Sequence, residues 1–300
     1  MNDRPTRATT AGRAYLDLQN LARRQGRPTD ELHQIYGLEG FLARLVASRH
    51  ADKLVLKGGV LLAAYETRRP TRDIDLQGRY ISNDLDQVLA IVRDIARITL
   101  DDGLLFHADQ ARAEGIREED VYSGVRVSLT AELSAARLAL HVDINVGDPI
   151  WPPPQQVALP RLLDGQIVLV GYPLPMVHAE KIVTAIQRGV ANTRWRDFAD
   201  IYTLARRHDI DAAELAMAIQ RVAEHRKARL ATLDQVLDGY AAVGQARWAA
   251  WRRRQRLDDR LPQQFDVVLA TVTAFADPVI SEAVTRGSWS AAEQSWRGDG

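Results

Sequence analysis

Two aspartates one residue apart, Asp73 and Asp75, follow a glycine pair, Gly58-Gly59, by about fifteen residues, and these are the side chains and spacings most suited to chemistry. On a strand, side chains two apart share a face, so the two carboxylates lie side by side with Cα atoms about 6.6 Å apart. Charges that close repel unless a cation lies between them, and carboxylate oxygens suit Mg²⁺. Glycine lets a ligand approach the backbone because no Cβ intervenes. If a helix starts at Gly58-Gly59, its N–H groups and positive dipole end favour phosphate. Each half alone has a plainer reading, a tight turn for the glycines and a solvated strand edge for the acids. In this order they form a phosphate-and-metal arrangement.

The elements that must hold these groups are legible nearby. Leu54-Val55-Leu56 reads as a short buried strand, Lys57-Gly58-Gly59 breaks it, and residues 60–65 resume with helical composition. Pro70 resets the chain, and Asp73-Ile74-Asp75-Leu76 reads as a second strand with Ile74 and Leu76 turned to the core. Two amphipathic helices precede them as packing scaffold. One is capped at Thr9 or Thr10 and ends near Gly26; the other starts at Pro28-Thr29-Asp30. Asn83-Asp84 can cap a further helix, and Leu104-Leu105-Phe106 is a short strand.

Residues 121–130 and 137–146 alternate with period two, as paired strands do. In the second, His141, Asp143 and Asn145 share one face. Asp143 is therefore either a third carboxylate aimed at the Asp73/Asp75 pair or an ordinary surface residue. Trp151-Pro152-Pro153-Pro154 reads as a stiff linker, and residues 166–170 as one more strand. A helical half follows. Residues 176–188 carry His178, Glu180 and Lys181, and residues 194–207 carry Asp197 and Asp200 on one face. On spacing alone Lys181 also reads as a solvated lysine, the two acids as partners of Arg194 or Arg196, and His178 as structural. Arg247, Arg252, Arg253, Arg254 and Arg256, interleaved with Trp248 and Trp251, make either a nucleic-acid surface or a helix face with buried tryptophans. A last helix lies between residues 263 and 286, and the tail from Gly287 is expected to fray.

Three hundred residues, 46% hydrophobic and 26% charged, describe a globular chain of one large or two ordinary domains. No cysteine is present, which excludes thiolate chemistry, disulfides and Cys-ligated zinc, and fits a reducing cytoplasm. The start is polar and no apolar run approaches membrane-spanning length, so no membrane association is expected. Acidic and basic residues balance at 39 each, so any nucleic-acid contact must be a local patch.

The ordered blocks resemble the AbiEii-type, MenT-like nucleotidyltransferase toxins of the DNA polymerase β-like superfamily. The blocks are Gly58-Gly59 in a strand-to-helix turn, Asp73-x-Asp75 on the next strand, Glu180-Lys181 on a helix, and Arg194-x-Arg196-Asp197-x-x-Asp200. The resemblance covers about residues 54–204. It implies an α+β chain, with a polymerase β-like nucleotidyltransferase core of mixed sheet and flanking helices followed by an α-helical C-terminal domain. The expected division is 1–50, helices packing on the core; 51–172, the core; and 173–300, the helical domain.

The resemblance also implies ligands and roles. NTP is the substrate and Mg²⁺ (or Mn²⁺) the cofactor. Asp73 and Asp75 are the metal-binding pair; apart from the resemblance, strand spacing and the chemistry of the transfer offer Asp143 as a third ligand and an aid to deprotonation. Lys57, Gly58, Gly59 and Thr71 lie at the nucleotide, Lys181 contacts its phosphates, and Asp200, with Asp197 one turn before it, is the last acidic motif. The implied activity is transfer of NMP to the 3′ acceptor end of tRNA, which blocks translation and growth, restrained by a cognate antitoxin. Val60 replaces a hydroxyl residue common in the superfamily turn. Thr71 stands where relatives have a serine that some modify by phosphorylation, and a turn or capping role fits it equally. Two alternatives stay open: a small-molecule hydroxyl as acceptor, as in antibiotic nucleotidyltransferases, or a non-catalytic nucleotide-binding partner in a toxin–antitoxin pair.

Overall fold

The computed structural model describes residues 5–68, 70–118 and 122–298. The chain divides into two compact units, Met1–Asp148 with Gln155–Tyr172, and Pro149–Pro154 with Pro173–Gly300. In the first unit the order is α1 (Thr10–Gln25), α2 (Thr29–Val46), β1 (Leu54–Lys57), α3 (Gly58–Leu61), β2 (Asp73–Gly78), α4 (Leu85–Ala96), β3 (Leu104–Phe106), β4 (Arg112–Glu118), β5 (Tyr122–Leu133), β6 (Ala136–Val146), β7 (Gln155–Pro160) and β8 (Gln166–Gly171). The expected α+β architecture is the one found.

Local chemistry sets the helix ends. Thr9 accepts a hydrogen bond from the Gly12 amide at the start of α1, and Gly26 closes that helix in the left-handed region. Asp84 caps α4 through the Gln87 amide. The helix after Lys57 is only one turn long and tightens into a 3₁₀ segment, Leu62–Tyr65.

Among the described residues the unit builds one eight-stranded mixed sheet in the order β3-β5-β6-β2-β1-β8-β7, with β4 also on β5. The pairs β2–β6 and β1–β8 are parallel, and the rest antiparallel. β4 and β7 are strands that the sequence pattern did not announce, and Val121, expected to open β5, lies outside the described residues. One sheet face is apolar, with Leu56, Ile74, Leu76, Val127, Leu140, Val142 and Ile144 buried. Here α2 packs on β6 and β8, and α4 on β4 and β5. Each such side chain contributes roughly 1.5–3 kcal/mol on burial. Arg44, 1% exposed in its side chain, ties α2 to this sheet: it pairs with Asp102 at 2.6 and 3.0 Å and donates to the carbonyls of Gly40, Ile98 and Leu104. Neither charge of this buried pair is left unpaired.

The opposite face carries the polar half of each alternation. Cross-strand register sets Lys57 opposite Asp75, Asp75 beside Asp143, and Asp143 opposite Arg126. One residue along, Asp73 lies beside His141, His141 opposite Ser128, and Ser128 opposite Arg112.

The second unit contains α5 (Leu174–Arg188), α6 (Trp195–Ala205), β9 (Ile210–Asp211), α7 (Ala212–His225), α8 (Leu233–Val236), α9 (Tyr240–Arg254), α10 (Phe265–Ile280), β10 (Ser288–Ser290) and β11 (Ser295–Arg297). Trp195, Phe198, Tyr240 and Phe265 pack ring against ring at its centre. The tail does not fray. β10 pairs with β9 and β11, Trp289 is 1% exposed, and its indole donates to the Ala205 carbonyl at 2.6 Å. Two tryptophans packed on Phe275 supply the apolar area that a count of aliphatic residues overlooks. Among the described residues no helix is long and apolar enough to cross a membrane.

Candidate active site

The central geometry is the approach of the Gly58 backbone to the Asp75 carboxylate. β1 ends at Lys57, and Gly58 turns the chain with φ at +67°, a region that costs a residue bearing Cβ about 1–2 kcal/mol. A Cβ at this position would fall 1.9 Å from Asp75 Oδ2 and 2.5 Å from its Cγ. Conformation and space therefore both require glycine, and the carboxylate rests directly on the turn. Gly59 follows, buried in α3.

Asp73, two residues before Asp75 on the same face, faces His141. Its Oδ1 lies 3.0 Å from His141 Nδ1, and the two side chains are 34% and 39% exposed. The Thr71 hydroxyl donates to the Asp73 carbonyl at 3.3 Å, which is a turn-stabilising contact. Asp143 does lie beside Asp75, but Arg126 grips it at both oxygens, Nε to Oδ1 at 2.8 Å and Nη2 to Oδ2 at 2.7 Å. That hydrogen-bonded pairing, with Asp73 and Glu114 nearby, raises the guanidinium above its ordinary pKa against the opposing effect of burial.

Lys57 is buried. Its ammonium lies 2.9 Å from Asp148 Oδ2 and 5.5 Å from the centre of the Tyr172 ring. Gln77, 1% exposed, belongs to the same group: with its amide nitrogen toward Asp148 Oδ2 at 2.9 Å, its oxygen accepts from the Gly147 and Asp148 amides at 3.1 Å. Sequence reasoning passed over Asp148, Arg126 and the pairing role of His141. Period-two counting put His141 and Asp143 on one face, but only the register reveals what they touch. Asp148 follows a strand end and a positive-φ glycine, with no periodic signal.

The donor set fits Mg²⁺. Two carboxylates on one strand face, beside a turn shaped to the backbone, leave coordination positions for substrate phosphates and water. Among the described residues no cluster of three or more His, Asp or Glu side chains is arranged to hold a metal. Asp73, Asp75 and Asp143 therefore do not form a three-carboxylate metal cluster: Asp143 is turned to Arg126 and Asp73 to His141.

In the helical unit Lys181 Nζ lies 2.8 Å from Asp200 Oδ2 and 3.2 Å from Asp197 Oδ1, and Arg194 Nε lies 2.7 Å from Asp197 Oδ2. Burial raises the Asp197 pKa, but Lys181, Arg194 and Arg196 together outweigh it and hold the carboxyl down at about 2. His178, one turn before Lys181, is fully buried against Phe275, and burial, helped by Lys181 and His208, lowers it to about 3. It is a neutral, structural imidazole at ordinary pH. The arginine-rich helix resolves in favour of packing at two positions. Trp248 is 0% exposed and donates to the Pro262 carbonyl at 3.1 Å, and Arg252 is buried against Asp258 and the Leu261 carbonyl. Arg247, Arg253, Arg254 and Arg256 remain exposed.

JHP933 from Helicobacter pylori is similar in structure at 14% identity and a TM-score of 0.46, over 89% of this chain and 92% of that one. A second H. pylori structure, of a candidate nucleotidyltransferase, gives 13% identity and a TM-score of 0.45 over 89% and 95%. No curated protein matches. The model of the nucleotidyl transferase AbiEii toxin family, of type IV toxin–antitoxin systems, matches residues 40–271. That span is most of the chain and takes in both units, and the chain belongs to the AbiEii nucleotidyltransferase toxin family.

Proposed function

We propose that the protein transfers NMP from an NTP to the 3′ acceptor end of tRNA in a Mg²⁺-dependent reaction, and that a cognate antitoxin restrains it. The observation that carries this reading is the Asp75 carboxylate resting on the Gly58 turn, with Asp73 beside it. A phosphate held by the turn would lie against the two acids best suited to its metal ion. When bound, Mg²⁺ (or Mn²⁺) would offset the charge that builds on the transferred phosphorus and the departing pyrophosphate. Asp73 and Asp75 would hold it.

The chain's own groups do the rest. The Gly58-Gly59 backbone receives the phosphates, with Lys57 fixed next to it by Asp148. The attacking 3′-hydroxyl oxygen forms a bond to the α-phosphorus as the bond to the β-phosphate oxygen breaks, and pyrophosphate carries off the electron pair. We assign the hydroxyl proton to Asp143, which requires Arg126 to release that carboxylate. Lys181 takes the phosphate-contact role implied by the family resemblance, with Asp200 and Asp197 holding its ammonium. Thr71 stays with its turn contact.

The test is transfer of label from each α-labelled NTP to total tRNA, with and without Mg²⁺. Wild type labels the 3′ end, and Asp75→Ala abolishes labelling while keeping its cooperative unfolding. Absence of labelled tRNA with all four NTPs would overturn the reading, and label appearing on a small hydroxyl compound instead would move the acceptor to that class.

A further inference from the structure

Beyond Asp143, the β6 side of the Asp73/Asp75 pair holds groups to which the transfer reaction gives no role. β1, with its glycine turn, flanks β2 on one edge; β6, then β5, then β4 continue on the other. On that second side a cleft of about 580 Å³ opens, lined by Arg93, Asp109, Arg112, Ser128, Thr130 and His141 among others. His141 belongs to both places, since it lines the cleft and its Nδ1 lies 3.0 Å from Asp73. Arg112, Ser128, His141 and Asp73 occupy one cross-strand row, so the cleft leads along the sheet to the first carboxylate.

The charge of the cleft is net positive. Arg112 is exposed and makes no ion pair among the described residues. Arg93 spends Nη2 on the Ala111 and Asp109 carbonyls, while its Nε, shielded from solvent, has no hydrogen-bond partner among them. Asp109, the acid of the lining, is already paired with Arg97 at 2.7 Å. Ser128 and Thr130 add hydroxyl donors.

The geometry points to this cleft as the track of the acceptor RNA strand, an inference that rests on the transfer reaction proposed above. In-line displacement sets the incoming oxygen opposite the leaving pyrophosphate. With the phosphate cradle on the β1 side of β2, the nucleophile must come from the β6 side, where the cleft lies. The volume is that of a small-ligand site, enough for about one or two nucleotides but not a duplex. Arg112 and Arg93 hold backbone phosphate, and His141 offers a ring face to the terminal base.

The test is anisotropy of a fluorescein-labelled single-stranded RNA with a free 3′-hydroxyl, titrated with the full chain at several salt concentrations without NTP. Arg112→Ala should weaken binding three- to tenfold and reduce the slope of log K against log salt by about 0.7, the loss of one single-strand phosphate contact. Arg112→Lys should restore the slope. Arg24→Ala, which removes an exposed charge on α1 outside the cleft, should change neither. NTP affinity should match wild type in all three variants. Unaltered RNA binding in Arg112→Ala, or an equal loss in Arg24→Ala, overturns the track. So does an Arg112→Ala protein that keeps RNA but loses the antitoxin. The transfer reading fails separately, if wild type binds RNA through Arg112 yet labels none from any NTP.

Discussion

Replacing Gly58 by alanine tests the site with one methyl group. The residue sits at φ +67°, which costs an L-residue about 1–2 kcal/mol. The new Cβ would stand 1.9 Å from Asp75 Oδ2, so the carboxylate must swing away or the turn must shift, at a further cost of about 1–3 kcal/mol by analogy with overpacked sites. The expected destabilisation is about 2–5 kcal/mol in urea unfolding. Gly26 supplies the control, since it has φ +62° at the end of α1 and open space where its Cβ would go. Gly26→Ala should cost only the backbone part of this, about 1–2 kcal/mol. The site-specific readout is Mn²⁺ affinity by isothermal titration on protein shown to be folded, where Gly58→Ala should lose at least tenfold, as when a ligand's supporting contacts are removed. Gly26→Ala should lose nothing. Equal unfolding costs with wild-type Mn²⁺ affinity in both would refute the cradle.

Arg126→Met strands Asp143, 10% exposed, without its bidentate partner. Because Arg126 is itself about a third exposed, a loss of about 2 kcal/mol is expected in urea unfolding rather than the 3–5 kcal/mol of a fully buried pair. Lys181→Met leaves Asp197 and Asp200 buried with reduced compensation and should cost about 3–5 kcal/mol, with Asp200→Asn in the same chain recovering part of it. If the double variant stays folded yet transfers no label, the Lys181–Asp200 pair serves chemistry as well as folding. His178 is depressed to about 3 from 6.5, so the unfolded chain takes up a proton that the folded chain refuses. Stability should therefore be intact above pH 6.5 and fall by about 1.4 kcal/mol per unit as pH drops from 6.5 towards 3. The difference between wild type and His178→Gln, measured by urea unfolding across that window, should show this slope; a flat difference would place the ring in water.

What could be read before the fold was known follows from which physical signals are local. Strand alternation put Asp73 with Asp75 and His141 with Asp143, because side-chain period depends only on neighbours in the chain. Thr9, Gly26 and Asp84 marked helix ends for the same reason. Register is not local: β2 and β6 are separated by more than fifty residues, so His141 on Asp73 was not visible, and Arg126 on Asp143 needed the exact register of the β5–β6 hairpin, which alternation alone does not fix. β4 escaped because Arg112, Glu114 and Gly115 are exposed at the sheet margin and give no hydrophobic rhythm. β7 was hidden by the prolines before it, and the tail by a composition in which two indoles do the work of many aliphatic side chains.

The row Lys57, Asp75, Asp143, Arg126 has cations at its ends and acids in the middle. Two neighbouring parallel strands with an acid at each facing position are a poor match by themselves. They become acceptable only when a basic strand has docked on either side. The pattern therefore specifies who sits next to whom: exchanging β1 or β5 for another strand would leave like charges abutting without relief. The groups proposed to receive a triphosphate thus also serve as an address label for assembly. A charge reversal at one rung should be rescued by reversal at its neighbour sooner than by any substitution elsewhere in the sheet.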